Sequence, residues 1–375
     1  MQINETRKLF PHLNSGKIYF NHASTGPMSS RVKENLLKLI QNRTGDKIDD
    51  YKEFLQISEV TNRDLAELVN CDSSRIAFID NTSNGLNIIA QGLNLKKGTR
   101  ILLNDIEFPA NVYPFLNLQN NGIEIDFVKS HDGIVSAEDV INSVKENTKL
   151  ISISFVQFLS GYKIDLEKLG KYCKENGIIL SVDAIQGLGA VNLDVKKCNI
   201  DFISCGTQKW LLGLQGFGFV YVSEELQKKL EPKYVGWTSV RNSWNLISYN
   251  LKLKTSAERF QNGTINTFGV YALNASLKLF KEFGFENVEK RLIENSIHFI
   301  NKLKEIGYSP ILQNITKENI AGIVSIKHRR SKEIFEGLEK KDVICALREG
   351  VVRFSPHFYN TKEEIDIVIS KLKEI

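Results

Sequence analysis

Between about residues 60 and 255, apolar side chains fall into short continuous runs separated by stretches of mixed polarity. Arg75-Ile-Ala-Phe-Ile79 and Arg100-Ile-Leu-Leu103 are two such runs, and Ile123-Glu-Ile-Asp-Phe-Val128 alternates as a half-buried strand does. Leu150–Phe155, Gly177–Val182, Asp201–Ser204 and Gly218–Val222 extend the series. Between these runs, Leu86–Leu93 and Leu166–Asn176 read as helices. Apolar strands alternating with helices predict an α/β fold whose parallel or mixed sheet is covered by helices on both faces.

The pattern changes in the last third. Phe268–Phe283 and Glu286–Ile306 place apolar residues three and four apart, which predicts two long helices. Short strands follow at Gly322–Ile326 and Val351–Phe354, and a charged helix starts near Lys362. This α+β pattern predicts a large domain over residues 21–255 and a smaller C-terminal domain over 256–375, with residues 1–20 packing on the smaller one. No internal repeat or low-complexity tract is visible.

Composition narrows the class. The 375 residues are 42% hydrophobic and 25% charged, which suits a folded protein with a sizeable core and excludes a disordered one. Forty-nine Lys and Arg against 44 Asp and Glu leave a net charge of +5, too mild on this length to demand a nucleic acid or a membrane surface as partner. No apolar stretch approaches the ~18 residues of a membrane span. Met1–Leu13, with Glu5, Arg7 and Lys8, lacks the apolar core of a secretory signal. The five cysteines (Cys71, Cys173, Cys198, Cys205, Cys345) are scattered and include no CxxC pair. That argues against disulfides or a zinc site and for a reducing cytoplasm.

In open α/β sheets ligands bind beyond the carboxyl ends of the strands, so the chemistry is sought there. Asp80-Asn-Thr-Ser-Asn-Gly85 reads either as an N-capped turn or as an anion cup, in which Thr82, Ser83 and backbone N–H groups hold a phosphate. Asp183 ends an apolar strand, where its carboxylate either caps the next helix or pairs with a buried cationic ring nitrogen, with Gln186 in reach of an adjacent oxygen. Lys209, in Cys205-Gly-Thr-Gln-Lys-Trp-Leu-Leu-Gly213, either snorkels to solvent or sits desolvated with a nucleophilic amine. Phe108, in Glu107-Phe-Pro-Ala-Asn111, is either a core aromatic or a plate for a planar ring. Each alone is ambiguous. Together and in order they supply what pyridoxal phosphate needs: a lysine for a Schiff base, an acid for the ring nitrogen, a stacking partner and a phosphate cradle.

On these residues the chain resembles class V aminotransferases, the fold type I pyridoxal-phosphate enzymes that include cysteine desulfurases, selenocysteine lyases, isopenicillin N epimerases and kynureninases. The resemblance runs through Ile18-Tyr-Phe-Asn-His-Ala-Ser-Thr-Gly-Pro27, Asn81–Gly85, Val182-Asp-Ala-Ile-Gln186, Gly206-Thr-Gln-Lys209, Arg259–Asn266 and Val352–Asn360, nearly the whole chain. It implies a mostly parallel seven-stranded sheet between helices in the large domain, and a smaller α+β domain. It implies that Lys209 forms the Schiff base and then moves protons, that Asp183 pairs with the pyridinium, and that Gln186 meets the ring hydroxyl. Thr82, Ser83, Thr207 and Gln208 would hold the phosphate. Thr264 matches a position that reaches the phosphate of a neighbouring subunit, which implies a homodimer with shared active sites. Arg353 matches the arginine for the substrate α-carboxylate, a task its guanidinium suits, and Ser24 and Gln157 would line the substrate side.

Two departures from the desulfurase pattern matter. Phe108 stands where desulfurases place a histidine on the cofactor ring, as on the kynureninase and epimerase side of the family. Leu347-Arg-Glu-Gly-Val-Val-Arg353 runs straight through where desulfurases insert a loop with a nucleophilic cysteine, and Cys345 falls in a predicted helix, Lys340–Leu347. Persulfide chemistry is therefore not expected. The expectation is a cytoplasmic pyridoxal-phosphate enzyme acting on a small-molecule amino acid. Aminotransferase is the first reading, with C–S or C–Se lyase or epimerase as alternatives, and Tyr234, Trp237 and Trp244 are candidates for side-chain specificity. A non-catalytic protein that kept the fold is set against the presence of Lys209, Asp183 and Arg353.

Overall fold

Twelve strands form among residues 1–45 and 47–375, the part of the chain that the computed structural model describes. They are β1 (Ile18–Tyr19), β2 (Ile76–Ile79), β3 (Arg100–Asn104), β4 (Glu124–Val128), β5 (Thr148–Ser154), β6 (Ile179–Asp183), β7 (Phe202–Gly206), β8 (Gly218–Val222), β9 (Val324–Lys327), β10 (Val343–Ile344), β11 (Ala346–Arg348) and β12 (Val351–Phe354). The expected seven-stranded sheet is present, in the order β2-β8-β7-β6-β5-β3-β4. Neighbours run parallel except at β8, which is antiparallel to both β2 and β7. β7 and β8 are buried along their whole length, as strands covered on both faces are, and hence read as unbroken apolar runs.

β3 and β5 are neighbours, but the order continues to β4 on one side and to β6 and β7 on the other. Such a switch point parts the loops at the carboxyl ends and opens a crevice there. Register aligns Ser154, Asp183 and Ser204 across β5, β6 and β7, so Asp183 ends its strand next to that crevice.

A second, three-stranded antiparallel sheet, β11-β12-β9, packs with the helices Phe285–Glu305, Ser331–Lys340 and Lys362–Lys373. Its core gathers Phe299, Leu303, Ile326, Leu338, Phe354, Ile365 and Val368. Ile18 and Phe20 belong to the same core, and β1 pairs in parallel with β10 (Ile18 opposite Val343). The helix Thr267–Phe283 instead packs on the helices Ser30–Thr44 and Tyr51–Leu68, giving Val270, Leu273 and Leu277 to the large core with Leu65, Phe217 and Phe219.

The predicted helix Lys340–Leu347 does not form. The preceding helix ends at Lys340, Asp342 takes φ 59°, and Val343-Ile344 and Ala346–Arg348 become β10 and β11. The reason is tertiary: β-branched Val343 and Ile344 find a ladder on β1. Cys345 lies between the two strands, buried, and burial pushes its thiol up to about 12. β11 and β12 are joined only by Glu349-Gly350, with φ of 47° and 73°, as a two-residue hairpin turn of type I′ requires.

Where the helix Thr82–Gly92 meets β7, only glycine fits. A Cβ on Gly85 would overlap Ser204 Oγ and come within 2.8 Å of Ile79 Cδ1. The close approach lets Ser204 Oγ donate to Thr82 O (2.8 Å) and the Gly206 N–H donate to Thr82 Oγ1 (2.9 Å). Gly85→Ala should push the helix off the sheet at the ~1–3 kcal/mol of an overpacked core and lower the thermal unfolding midpoint. Gly263→Ala, whose Cβ would meet nothing within 4 Å, should leave that midpoint in place.

Candidate active site

Lys209 follows β7, next to the fully buried Trp210, with its Nζ 5.7 Å from the centroid of the Phe108 ring. Burial lowers its pKa to about 8; the Asp183 charge opposes that shift and the Arg353 charge adds to it. Asp183 is 2% exposed, its Oδ1 accepts the Ile185 N–H at 3.0 Å, and burial raises its carboxyl to about 6. Its Oδ2 accepts no hydrogen bond from a described residue, so a cationic N–H donor would match it. Phe108 is half-exposed, held edge-on by Phe158 at 5.4 Å.

Thr82 and Ser83 open the helix Thr82–Gly92, which Asn81 caps by accepting the Asn84 N–H at 2.9 Å. Thr82 is buried and Ser83 is exposed. A Cβ on Gly206 would stand 2.6 Å from Gln208 Oε1 and 3.2 Å from Thr82 Oγ1, so the glycine keeps a cradle open between Thr82 and Gln208. Thr207 does not belong to it. Its hydroxyl faces two backbone carbonyls, Leu214 O (3.0 Å) and Phe217 O (3.1 Å), and a hydroxyl has one hydrogen to donate. The expectation that Thr207 holds phosphate is corrected: it ties down the turn that carries Lys209.

Arg353 projects from β12. Nη1 donates to Phe158 O (2.8 Å), Nη2 donates to Ser24 Oγ (2.9 Å), and Nε is buried without a partner. The residue is 3% exposed, and burial lowers its pKa to about 10, with the Arg348 charge adding to the shift. Two hydrogen bonds to neutral oxygens leave its charge unanswered, and a buried unpaired cation calls for an anionic ligand. Gln157, expected on the substrate side, is built into a turn. Its Nε2 donates to Ile106 O (2.5 Å), and its Oε1 accepts the N–H groups of Leu159 (2.6 Å) and Ser160 (2.8 Å). Its amide shapes the turn that presents Phe158 O to Arg353, with one Nε2 hydrogen left over.

Gln186 donates from Nε2 to Ala23 O (3.0 Å) and accepts from Trp210 Nε1 (2.9 Å), which leaves one amide hydrogen for a ring oxygen. Glu107 has no role in the sequence reading, yet it is a buried acid beside the site. It accepts from Ser154 Oγ (2.5 Å), the Ser154 N–H (2.8 Å) and Asn104 Nδ2 (2.6 Å), while burial and then the Asp183 charge raise its carboxyl to about 7. Thr264 is exposed and lies apart. It lines an 830 Å³ cavity with Tyr51, Trp237 and Trp244 that none of Lys209, Asp183 and Arg353 lines. Trp237 and Trp244 therefore do not wall the Lys209 crevice within this chain, and Tyr234 lines a second cavity that also includes Thr264.

The sequence profile described as Aminotransferase class-V matches residues 18–368. The chain belongs to that family, and it is an enzyme of the family's pyridoxal-phosphate-dependent kind. Among curated relatives, "Uncharacterized aminotransferase YcbU" of Bacillus subtilis is 28% identical over 98% of this chain and 96% of its own. A "Probable cysteine desulfurase" of Pyrococcus abyssi is 29% identical over 99% and 97%, and a kynureninase of Shouchella clausii is 26% identical over 97% and 89%. Among solved structures, the apo cysteine desulfurase of Thermococcus onnurineus superposes with a TM-score of 0.90 at 24% identity, covering 100% of this chain and 98% of that one. The cystine C–S lyase C-DES with cysteine persulfide superposes with a TM-score of 0.89 at 22% identity, covering 98% and 99%. These two likenesses establish the fold, type I of the pyridoxal-phosphate enzymes. The residues fit the cofactor: Lys209 Nζ lies 5.7 Å from the Phe108 ring and feels the Asp183 charge, Asp183 Oδ2 is left for a cationic N–H, and Gly206, three residues before Lys209, keeps the cradle between Thr82 and Gln208 open. No helix among the described residues is long and apolar enough to cross a membrane.

An amine captures an aldehyde only when neutral, that is, above its pKa. Capture of pyridoxal phosphate by the cofactor-free chain, followed by visible absorbance, should rise about tenfold per pH unit up to pH ~8 and then level off. A lysine at the ordinary value of 10.5 would keep rising past pH 10.

Proposed function

We propose that this chain is an aminotransferase for a small-molecule amino acid, working in the cytoplasm as a homodimer with shared active sites. Arg353 carries the reading: a buried guanidinium that pairs with no anion among the described residues lies near enough to the Lys209 amine for their charges to interact, and the buried cysteines among the described residues offer no reactive thiol. Cys205 and Cys345 are buried, and burial pushes both thiols up, Cys345 to about 12. Amino transfer needs no thiolate.

Pyridoxal phosphate, when bound, supplies an electrophilic carbon and a cationic ring that draws electron density from the substrate's α-carbon. Thr82, Ser83, the N–H groups of their helix turn and Gln208 would hold its phosphate. Asp183 would accept the ring N–H, Phe108 would cover one ring face, and Gln186 would donate its remaining amide hydrogen to the ring oxygen. Arg353 and Ser24 would hold the substrate's α-carboxylate. Lys209 would take the proton from the α-carbon and return it to the neighbouring carbon. Thr264, exposed on this chain, would complete the phosphate site of a second copy. Exposed Tyr234, Trp244, Leu246, Ile247, Tyr249 and Leu251 offer that copy an apolar face.

Adding single amino acids to the loaded enzyme without a keto acid tests the reaction. Stoichiometric bleaching of the visible band with one equivalent of keto acid is the expected result. Catalytic release of ammonia or sulfide with the band retained would make the enzyme a lyase instead. Arg353→Ala should raise KM for a carboxylate substrate about 30- to 100-fold, the ~2–3 kcal/mol of a charge-assisted contact. An unchanged KM would put the carboxylate elsewhere. Lys209→Ala should abolish turnover, and full activity in that variant would overturn the assignment.

A further inference from the structure

We infer that the substrate carries a second acidic group, and that Arg348 at the end of β11 receives it while Arg353 holds the α-carboxylate. The inference rests on the reading of Arg353 given above. In the hairpin, Arg353 faces Ala346 and Arg348 faces Val351. Side chains alternate faces along each strand, so all four of these residues share one face and the two arginines are diagonal neighbours on it. The two-residue turn at Glu349-Gly350 fixes this register and leaves Arg348 as the last strand residue before the tip.

The two guanidinium groups differ in setting. Arg353 is buried and tied to Phe158 O and Ser24 Oγ. Arg348 is exposed, and it makes neither an ion pair nor a hydrogen bond with a described side chain. Its charge nonetheless reaches inward, disfavouring protonation of both Arg353 and Lys209. Three cations thus converge on the substrate side, one deep and one at the rim of the same hairpin face. A neutral side chain would leave the rim cation unanswered. An amino acid with a distal carboxylate, or another anionic group at that reach, answers both arginines at once.

Unreactive acids separate this inference from the reading beneath it. Binding of glutarate, succinate and butyrate to the loaded enzyme is measured by calorimetry. The natural chain should bind the better dicarboxylate about tenfold more tightly than butyrate, the size of one added charge-assisted contact. Arg348→Gln should bring the ratio to within about threefold, and Arg348→Lys should restore part of it. In turnover, the preference for glutamate or aspartate over glutamine or asparagine should shrink in parallel. An equal preference in Arg348→Gln, or a natural chain indifferent to the second carboxylate, overturns the inference. Arg353→Gln should weaken dicarboxylate and butyrate alike. If it weakens neither, the α-carboxylate assignment fails; if it weakens both while Arg348→Gln moves no ratio, only the Arg348 inference fails.

Discussion

The site depends on how residues 19–26 are laid between the two cores. The segment starts on the smaller one, where β1 pairs with β10 and Phe20 is buried. It ends on the larger one, where the Gly26 N–H donates to Gln208 O at 2.7 Å and a Cβ on Gly26 would overlap Lys209 O. Between these ends, Ser355 O and Oγ accept the N–H groups of His22 (3.2 Å) and Ala23 (3.0 Å), Gln186 donates to Ala23 O, and Arg353 donates to Ser24. Lys209 and Arg353 come from different sheets, and this strap sets their separation. Each such hydrogen bond contributes only ~1 kcal/mol net, but a buried group left without its partner costs ~1–3 kcal/mol, so the strap is held chiefly by the cost of misplacing it. His22 and His357 line the same seam, buried against Tyr359 and Trp210. Burial keeps both imidazoles neutral, His357 down to about 4, so the seam adds no charge beside Lys209 and Arg353.

Within the chain alone, every ion of the site is under-solvated. Asp183 and Glu107 are pushed up, Lys209 and Arg353 are pushed down, and burial is the first cause in all four. The charge missing at each place differs: a cation at Asp183, an anion at Arg353, an anion at the start of the helix Thr82–Gly92. A phosphorylated pyridinium and a carboxylate match that pattern. Ligands that bind only the folded chain also stabilise it by mass action, so a partner of opposite charge at each of these groups would stabilise the fold as it binds. Glu107 fits the same logic from behind. It takes three hydrogen bonds from the ends of β3 and β5, so a buried acid that feels the Asp183 charge is anchored in place.

Much of this was legible in the sequence, and the exceptions have a common origin. Strands with both faces covered announce themselves as apolar runs, and the edge strand β4 alternates, so β2 to β8 could be read directly. Asp183 stood out because it ends an apolar strand, and Lys209 because it follows one among apolar neighbours. The misreadings concern where a side chain's hydrogen bonds go, which local sequence does not encode. Thr207 has the right chemistry at the right place, but Leu214 O and Phe217 O take its hydroxyl, and most of the Gln157 amide is spent on Ile106 O and the turn at residues 159–160. Glu107 looks like a loop carboxylate until Ser154 and Asn104 are folded against it. The stretch at 340–347 has helical composition and becomes strand because β1 offers Val343-Ile344 a ladder and β12 offers one to Ala346-Leu347.

The hairpin β11–β12 bears most directly on the chemistry. Where desulfurases carry a loop with a nucleophilic cysteine, this chain has two turn residues, both in the left-handed region. A turn that short leaves no span on which a thiol could be carried over the crevice. The same shortening has a second effect. The antiparallel ladder runs unbroken from Ala346 opposite Arg353 to Arg348 opposite Val351, so a rigid strand walls the carboxylate side. A strand presents every second side chain to one face, and the residue two positions from Ala346 is an arginine. The hairpin from Ala346 to Phe354 thus carries no thiol, and it sets Arg348 and Arg353 on the one face that the proposed acidic substrate would meet.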